Sequence, residues 1–290
     1  MILVTGATGH LGKGVINFLL QKGISANKII ALVRDEAKAA DLKEKGIILR
    51  KGDYHDYVSL APAFKGVEKL LLVSSGDFND RSQQHINVVN AAKEAGVKHI
   101  LYTSVHGRED KPSVIPFVVQ SHLDTEVAIK KSGIPYTILR NSIYADMVPM
   151  FLGPKVTETG VFIPAGNGKI PFATRLDMAE AAAIALTTPG HEDKVYSIAS
   201  STAYSFADIA TTLSELAGKT IPYIDADPAQ YKEALTQAGV PQEYIGFMGG
   251  FAEAFKQDEF NAASNDLEKL LGRKPSSLKE FLKTAYFSNN

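Results

Sequence analysis

The first dozen residues constrain this chain more than any other stretch. Ile2 to Val4 is a short apolar run, Thr5-Gly6 interrupts it, and a helical pattern follows from about Leu11. The spacing predicts a strand, a glycine turn and a helix. Gly6 lets the chain leave the strand in a tight turn, Gly9 has no Cβ and so admits a ligand to the backbone, and Gly12 allows close packing. The N–H groups around Ala7, Thr8, His10 and Leu11 then face an anion, and a dinucleotide pyrophosphate suits a helix N-terminus of this kind. His10 makes its contact through the backbone, which leaves its side chain free to vary.

Short apolar runs alternate with helical patterns through the first half. Strands are expected at Lys28–Val33, Ile47–Arg50, Lys69–Val73, His99–Tyr102 and Tyr136–Leu139. Between them lie helical stretches, notably Arg81–Ala95 and Val114–Lys131. Apolar strands separated by helices mean a parallel sheet buried on both faces. The fold expected is α/β, a doubly wound parallel Rossmann sheet with a smaller α+β substrate lobe. Ligands of such sheets sit beyond the carboxyl ends of the strands. That topology gathers Gly6, Arg34, Asp53, Ser74, Thr103 and Arg140-Asn141 along one rim, with Ser75, Gly76 and Ser142 beside them as further cofactor candidates.

From about residue 142 the pattern changes. Ile143–Leu152 is apolar and aromatic, Val161–Pro164 and Ile170–Thr174 are short strand candidates, and an alanine-rich helix spans Asp177–Leu186. Lys194–Ile198 reads as a strand, Ser205 as the cap of a helix over Phe206–Ala217, and the remainder as mostly helical. We expect a dinucleotide-binding domain over 1–141 and a substrate lobe over 142–290 with segments that return to the main sheet. A formal net charge of -1 offers no basic surface for nucleic acid. There is no cysteine, which excludes disulfides and thiolate chemistry. No apolar run reaches membrane-spanning length, and a strand beginning at residue 2 leaves no room for a signal peptide. The default is a soluble cytoplasmic protein, monomeric or homodimeric. No two histidines stand at ligand spacing with a carboxylate partner, so no metal is expected.

The residue after the second strand selects the cofactor. An acidic side chain there would bind the ribose hydroxyls of NAD, whereas an arginine accommodates the 2′-phosphate of NADP. Arg34 occupies the position and favours NADP; Asp35 would take the NAD role if the turn were one residue longer. Asp53 either accepts from the adenine amino group or serves as a turn aspartate in Gly-Asp-Tyr.

The stretches GVEKLLLVSS, HINVVNAAKEAGVKHILYTS and SGIPYTILRNSIY resemble the atypical and extended short-chain dehydrogenases. More narrowly the chain resembles the NmrA-like group, and within it the bacterial NADPH:quinone oxidoreductases and triphenylmethane-dye reductases. The resemblance runs from residue 1 to about 200 and more weakly to the end. Typical short-chain dehydrogenases carry a Tyr-x-x-x-Lys pair whose phenol protonates a carbonyl as hydride arrives. Aligned through Glu126 and GIPYTILR, those positions are Val118 and His122 here, and valine transfers no proton. NmrA-like proteins commonly lack the pair too. The resemblance then implies one of two things. The chain passes hydride from NADPH to a quinone or cationic aromatic acceptor that needs no enzyme acid, or it does no chemistry and reports the NADPH/NADP ratio to a protein partner.

His122 and Tyr144 are the candidate catalytic side chains, with Glu126 four residues on as a possible holder of the His122 ring. For a small aromatic substrate the candidate pocket residues are His106, Met147, Met150, Phe151 and Phe247, although ordinary core packing explains each singly. Gly246, Gly249 and Gly250 suggest a mobile flap or a helix break.

Overall fold

A computed structural model describes residues 1–107 and 110–288. Nine strands lie among them: β1 (Ile2–Val4), β2 (Ile29–Val33), β3 (Ile48–Lys51), β4 (Lys69–Leu72), β5 (His99–Val105), β6 (Tyr136–Asn141), β7 (Val161–Phe162), β8 (Lys194–Ile198) and β9 (Tyr223–Ile224). Seven form one sheet in the order β3-β2-β1-β4-β5-β6-β8, and every pairing in it is parallel. β7 and β9 make a separate parallel pair.

Burial on both faces explains the continuous apolar strands. All five residues of β2 are buried. Successive side chains go to opposite sides: Val4, Ala31 and Leu71 join one core, and Leu3, Ile30 and Leu70 the other. Helices His10–Gln21 and Arg175–Thr187 cover the first face and pack on each other. Ala179, Ala181, Ala182, Ala183 and Ala185 are buried in that contact layer, which accounts for the alanine-rich composition. Helices Tyr57–Ala63, Arg81–Glu94 and Pro116–Ser132 cover the other face. Strand order reverses between β1 and β4, so the glycine turn after β1 and the loop after β4 flank the switch point.

The second half sends β8 to the sheet edge beside β6 and builds its own core from Phe151, Phe206, Phe251, Phe255 and Phe260. Ser205 caps Phe206–Ala217 in a reciprocal capping box with Asp208. Two expectations need correction. Ile170–Thr174 is not a strand: it makes isolated bridges, Ile170 to Tyr204 and Ala173 to Tyr144, and Pro171 has no N–H for a ladder. Gly246, Gly249 and Gly250 do not break the chain, because helix Gln242–Lys256 runs through them. The buried face of Met248, Phe251, Ala252 and Phe255 holds it against the low propensity of glycine. Among the described residues no helix is long and apolar enough to cross a membrane.

Candidate functional site

A cleft of about 930 Å³ opens along the carboxyl ends of the strands, from the glycine turn to an aromatic wall. At the first end the backbone makes the site. Gly6 sits at φ +56°, a left-handed conformation that carries the chain out of β1. A Cβ on Gly12 would lie 2.3 Å from the Gly6 carbonyl oxygen, so Gly12 packs against the turn itself. Helix His10–Gln21 begins at Gly9 with no side-chain cap, and Gly9, His10, Leu11 and Gly12 border the cleft. Donors without internal partners thus face open space beside backbone that carries no bulk. Ala7 is buried beneath the turn, and Thr8 is exposed beside it.

The loop after β4 forms one side, and Ser74, Ser75 and Gly76 border the cleft. Its path is held from below. The Ser74 N–H donates to Thr103 Oγ1 (2.9 Å) and the Ser75 N–H to His85 Nε2 (2.9 Å). Thr103 is buried within β5, which runs three residues further than its pattern predicts. It supports the loop and does not line the cleft. Asn141 and Ser142 do line it, with Asn141 Oδ1 and Ser142 Oγ buried and unpartnered. Such orphaned polar atoms suit a ligand that carries amide or hydroxyl groups.

Arg34 and Asp53 lie off the cleft, at the ends of β2 and β3. Arg34 is exposed, while Asp35 caps the next turn by accepting the Ala37 N–H (3.0 Å). Burial pushes the phenol of Tyr54 up, and the charge of Arg34 opposes that shift, which places Arg34 near Tyr54. Asp53 Oδ1 accepts the His55 N–H (3.1 Å), the turn role weighed for it.

The far end is made of side chains. Tyr144, Met147, Met150 and Phe247 line it, joined by Phe78, Tyr244 and Val118. The Arg175 guanidinium lies 4.7 Å from the Tyr144 ring centroid and pairs with Asp146 (3.8 Å). Burial raises the Tyr144 phenol pKa, so it stays protonated at neutral pH. Two expected pocket residues are elsewhere. Phe151 is 2% exposed and packs against Phe255 at 5.3 Å, because a helical step turns it to the core while Met150 faces outward. His106 is buried, its backbone N–H donates to the Asn141 carbonyl (2.8 Å), and it does not border the cleft.

His122 borders the cleft as a neutral group. Arg81 Nη2 donates to its Nε2 (3.1 Å), and its Nδ1 lies 2.7 Å from the Tyr102 hydroxyl. A guanidinium only donates, so the imidazole proton is on Nδ1. Burial, with the charges of Arg81 and His85, holds its pKa well below the usual histidine range. His85 is pushed down to about 3, by burial and then by Arg81. The expected Glu126–His122 link does not form. Glu126 accepts instead from Arg140 Nη2 (2.8 Å) and Nε (2.9 Å) and from Ser104 Oγ (2.7 Å). Burial opposes the Glu126 charge, but Arg140 and Ser104 overcome it and hold the carboxyl low. The sequence reasoning missed Arg81, Phe78 and Arg175. The available signal was Arg81 itself, a cation at the first position of a helix where the dipole disfavours it.

Known proteins resemble this arrangement. The model of the NmrA-like family matches residues 1–285. Quinone oxidoreductase 2 of Escherichia coli (strain K12) is 40% identical, with the whole of both chains covered. The NAD(P)H azoreductase of Xenophilus azovorans is 30% identical over 98% of this chain and 97% of its own. The crystal structure of a Citrobacter sp. triphenylmethane reductase complexed with NADP(H) superposes with a TM-score of 0.92 at 40% identity, covering 98% of this chain and 100% of that one. A glycine turn at the switch point, a cleft running from it to an aromatic wall and a match over nearly its full length give one conclusion: the chain belongs to the NmrA-like family.

Proposed function

We propose that this protein is an NADPH-dependent reductase that passes hydride to a quinone-like or other electrophilic aromatic acceptor without a tyrosine acid. The observation that carries the reading is Val118. It lines the cleft where a short-chain dehydrogenase would place its tyrosine, beside a histidine that is neutral and has both ring nitrogens engaged. The relatives named for quinone and azo substrates, and the dye reductase held with NADP(H), support it.

The residues fit the cofactor. Gly6, Gly9 and the N–H groups at His10 and Leu11 would hold the pyrophosphate, with Ala7 and Thr8 shaping the turn. Arg34 would take the 2′-phosphate, and Asp53 the adenine side. Ser74, Ser75, Gly76, Asn141 and Ser142 would flank the inner half, with Thr103 fixing the Ser74 backbone. Once bound, the cofactor supplies a hydride at its nicotinamide carbon. The chain's own contribution is placement: Tyr144, Met147, Met150 and Phe247 clamp a flat ring and exclude water. His122 positions Arg81 and Tyr102 and moves no proton. In this division of labour, 1–141 binds the cofactor and 142–290 supplies much of the acceptor wall.

The test is NADPH oxidation with a panel of quinones and dyes, beside a fluorescence titration of NADPH. We expect turnover with the aromatic acceptors, little with simple ketones, and deuterium transfer from labelled NADPH to a dye carbon. Tight NADPH binding with no oxidation by any acceptor would replace this reading with a non-catalytic redox sensor acting through a protein partner.

A further inference from the structure

Arg81 hydrogen-bonds through its side chain neither to the glycine turn nor to the residues proposed to clamp the acceptor ring, and its chemistry is unaccounted for. It begins helix Arg81–Glu94 and lines the cleft, yet it is only 7% exposed. One nitrogen, Nη2, donates to His122 Nε2 (3.1 Å), whereas Nε and Nη1 are buried without a partner. Among the described residues no carboxylate forms an ion pair with it. The ring of Phe78 lies beside it, with Cζ 5.0 Å from the centroid. Phe78 in turn contacts Phe247 at 6.1 Å, so the guanidinium belongs to the aromatic end of the cleft. A buried cation normally sits against a carboxylate, because desolvation without a counter-charge costs several kcal/mol. Among the described residues its side chain hydrogen-bonds to a neutral imidazole alone, and the helix dipole adds to the positive potential.

We propose that Arg81 is a catalytic residue that receives the oxyanion formed on the acceptor, so that the site prefers carbonyl-bearing quinones to cationic dyes. The proposal rests on the reductase reading. When a quinone accepts hydride, the donor carbon–hydrogen bond breaks and the acceptor gains one hydrogen and two electrons. It becomes a hydroquinone monoanion whose charge resides on oxygen, and a proton from water completes the reduction. The free Nε and Nη1 donors of Arg81 match that oxygen, and they act in a dry site where a fixed donor is strongest. A cationic triarylmethane dye takes the same hydride to become neutral. No anion forms, and Arg81 opposes its entry.

The test compares Arg81→Gln and Arg81→Lys with the unmutated protein. The readouts are kcat/KM for 1,4-naphthoquinone and for crystal violet, the NADPH dissociation constant, and calorimetric binding to the NADP-saturated protein. Two ligands serve for calorimetry: 2-hydroxy-1,4-naphthoquinone, anionic at neutral pH, and uncharged 1,4-naphthoquinone. For Arg81→Gln the quinone kcat/KM should fall about 100-fold, the effect of removing one oxyanion donor, while that for the dye holds or rises. Affinity for the anion should fall about 10-fold or more, and that for the uncharged quinone far less. Arg81→Lys keeps the charge and should retain part of both, which also covers the case of a Gln variant that fails to fold. An equal fall for both acceptors, or a loss of NADPH affinity that accounts for the defect, would overturn the proposal. If the unmutated protein reduces neither acceptor, the reductase reading fails, and unchanged anion binding in both variants would then overturn the role of Arg81 as well.

Discussion

The two ends of the cleft are built on different principles. At the glycine turn the determinant is backbone: a left-handed Gly6, a Gly12 with no space for a Cβ, and an uncapped helix N-terminus. At the other end the determinant is a set of side chains from distant parts of the chain, with Phe78, Arg81, Val118, Tyr144, Met147 and Phe247 meeting around one space. A backbone site tolerates almost no added bulk and says little about chemistry. A side-chain site tolerates substitution and decides what reacts. A backbone site of this kind is therefore compatible with relatives named for different acceptors.

The largest effect should come from adding bulk to the backbone end. Gly12→Val puts carbon against the Gly6 carbonyl at 2.3 Å, backbone against backbone, and should cost about 3 kcal/mol or more of stability together with NADPH binding. Gly9→Val separates the two losses. Its Cβ would lie 3.3 Å from the same oxygen, a contact that a small shift relieves, yet it projects where the pyrophosphate is to lie. We expect NADPH affinity to drop by about 100-fold or more with the melting temperature nearly unchanged. Normal NADPH binding by Gly9→Val would erase the distinction between the two ends.

A smaller effect is expected at Arg34, a cationic side chain at the outer edge of the backbone end. Arg34→Ala should remove most of the preference for NADPH over NADH, about 10-fold or more, by deleting the fork to the 2′-phosphate. Equal affinities for the two cofactors in the unmutated protein would contradict the assignment.

The last effect appears only on acidification and concerns the histidines under the side-chain end. His85 and His122 have folded pKa values below that of the unfolded chain, so the unfolded state binds more protons as pH falls. Their contribution to stability is present above about 6.5 and declines as pH drops from there toward the folded value, which is about 3 for His85. At pH 5 His85 alone should cost on the order of 2 kcal/mol. Melting curves from pH 7.5 to pH 5 should show a decline that His85→Gln flattens. The same network predicts that activity shows no imidazole limb in this range, since His122 is neutral throughout.

Much of the scaffold was legible in the sequence because it depends on local rules. Apolar runs marked the strands of the sheet, and helices Phe206–Ala217 and Pro228–Gln237 follow from their caps and periodicity. The turn at Gly6 to Gly12 is legible for the same reason, since its requirements fall on residues adjacent in the chain. The proposal of a missing acid also starts from the sequence, because the resemblance sets Val118 at the tyrosine position through Glu126 and the β6 segment. The helix over Gln242–Lys256 was legible too, but that its glycines neither break nor loosen it was not, because the buried Phe251 and Phe255 anchor that face; at Ile170–Thr174 the apolar pattern suggests a ladder that Pro171 prevents.

The partnerships were decided by tertiary structure alone. His122 and Glu126 share a helix face at a spacing that suits a pair, but Arg140 from β6 claims the carboxylate and Arg81 from another helix claims the imidazole. Phe151 and Met150 are neighbours in sequence, and only the packing of Phe255 sends one to the core and the other to the cleft. Hydrophobic period and turn chemistry act over a few residues, and so the sequence by itself determined the strands of the sheet, its order of elements and the glycine turn. The charge state of a buried group depends on what lies within a few ångströms from any part of the chain, and only the folded structure brings Arg81, His122 and the aromatic wall together.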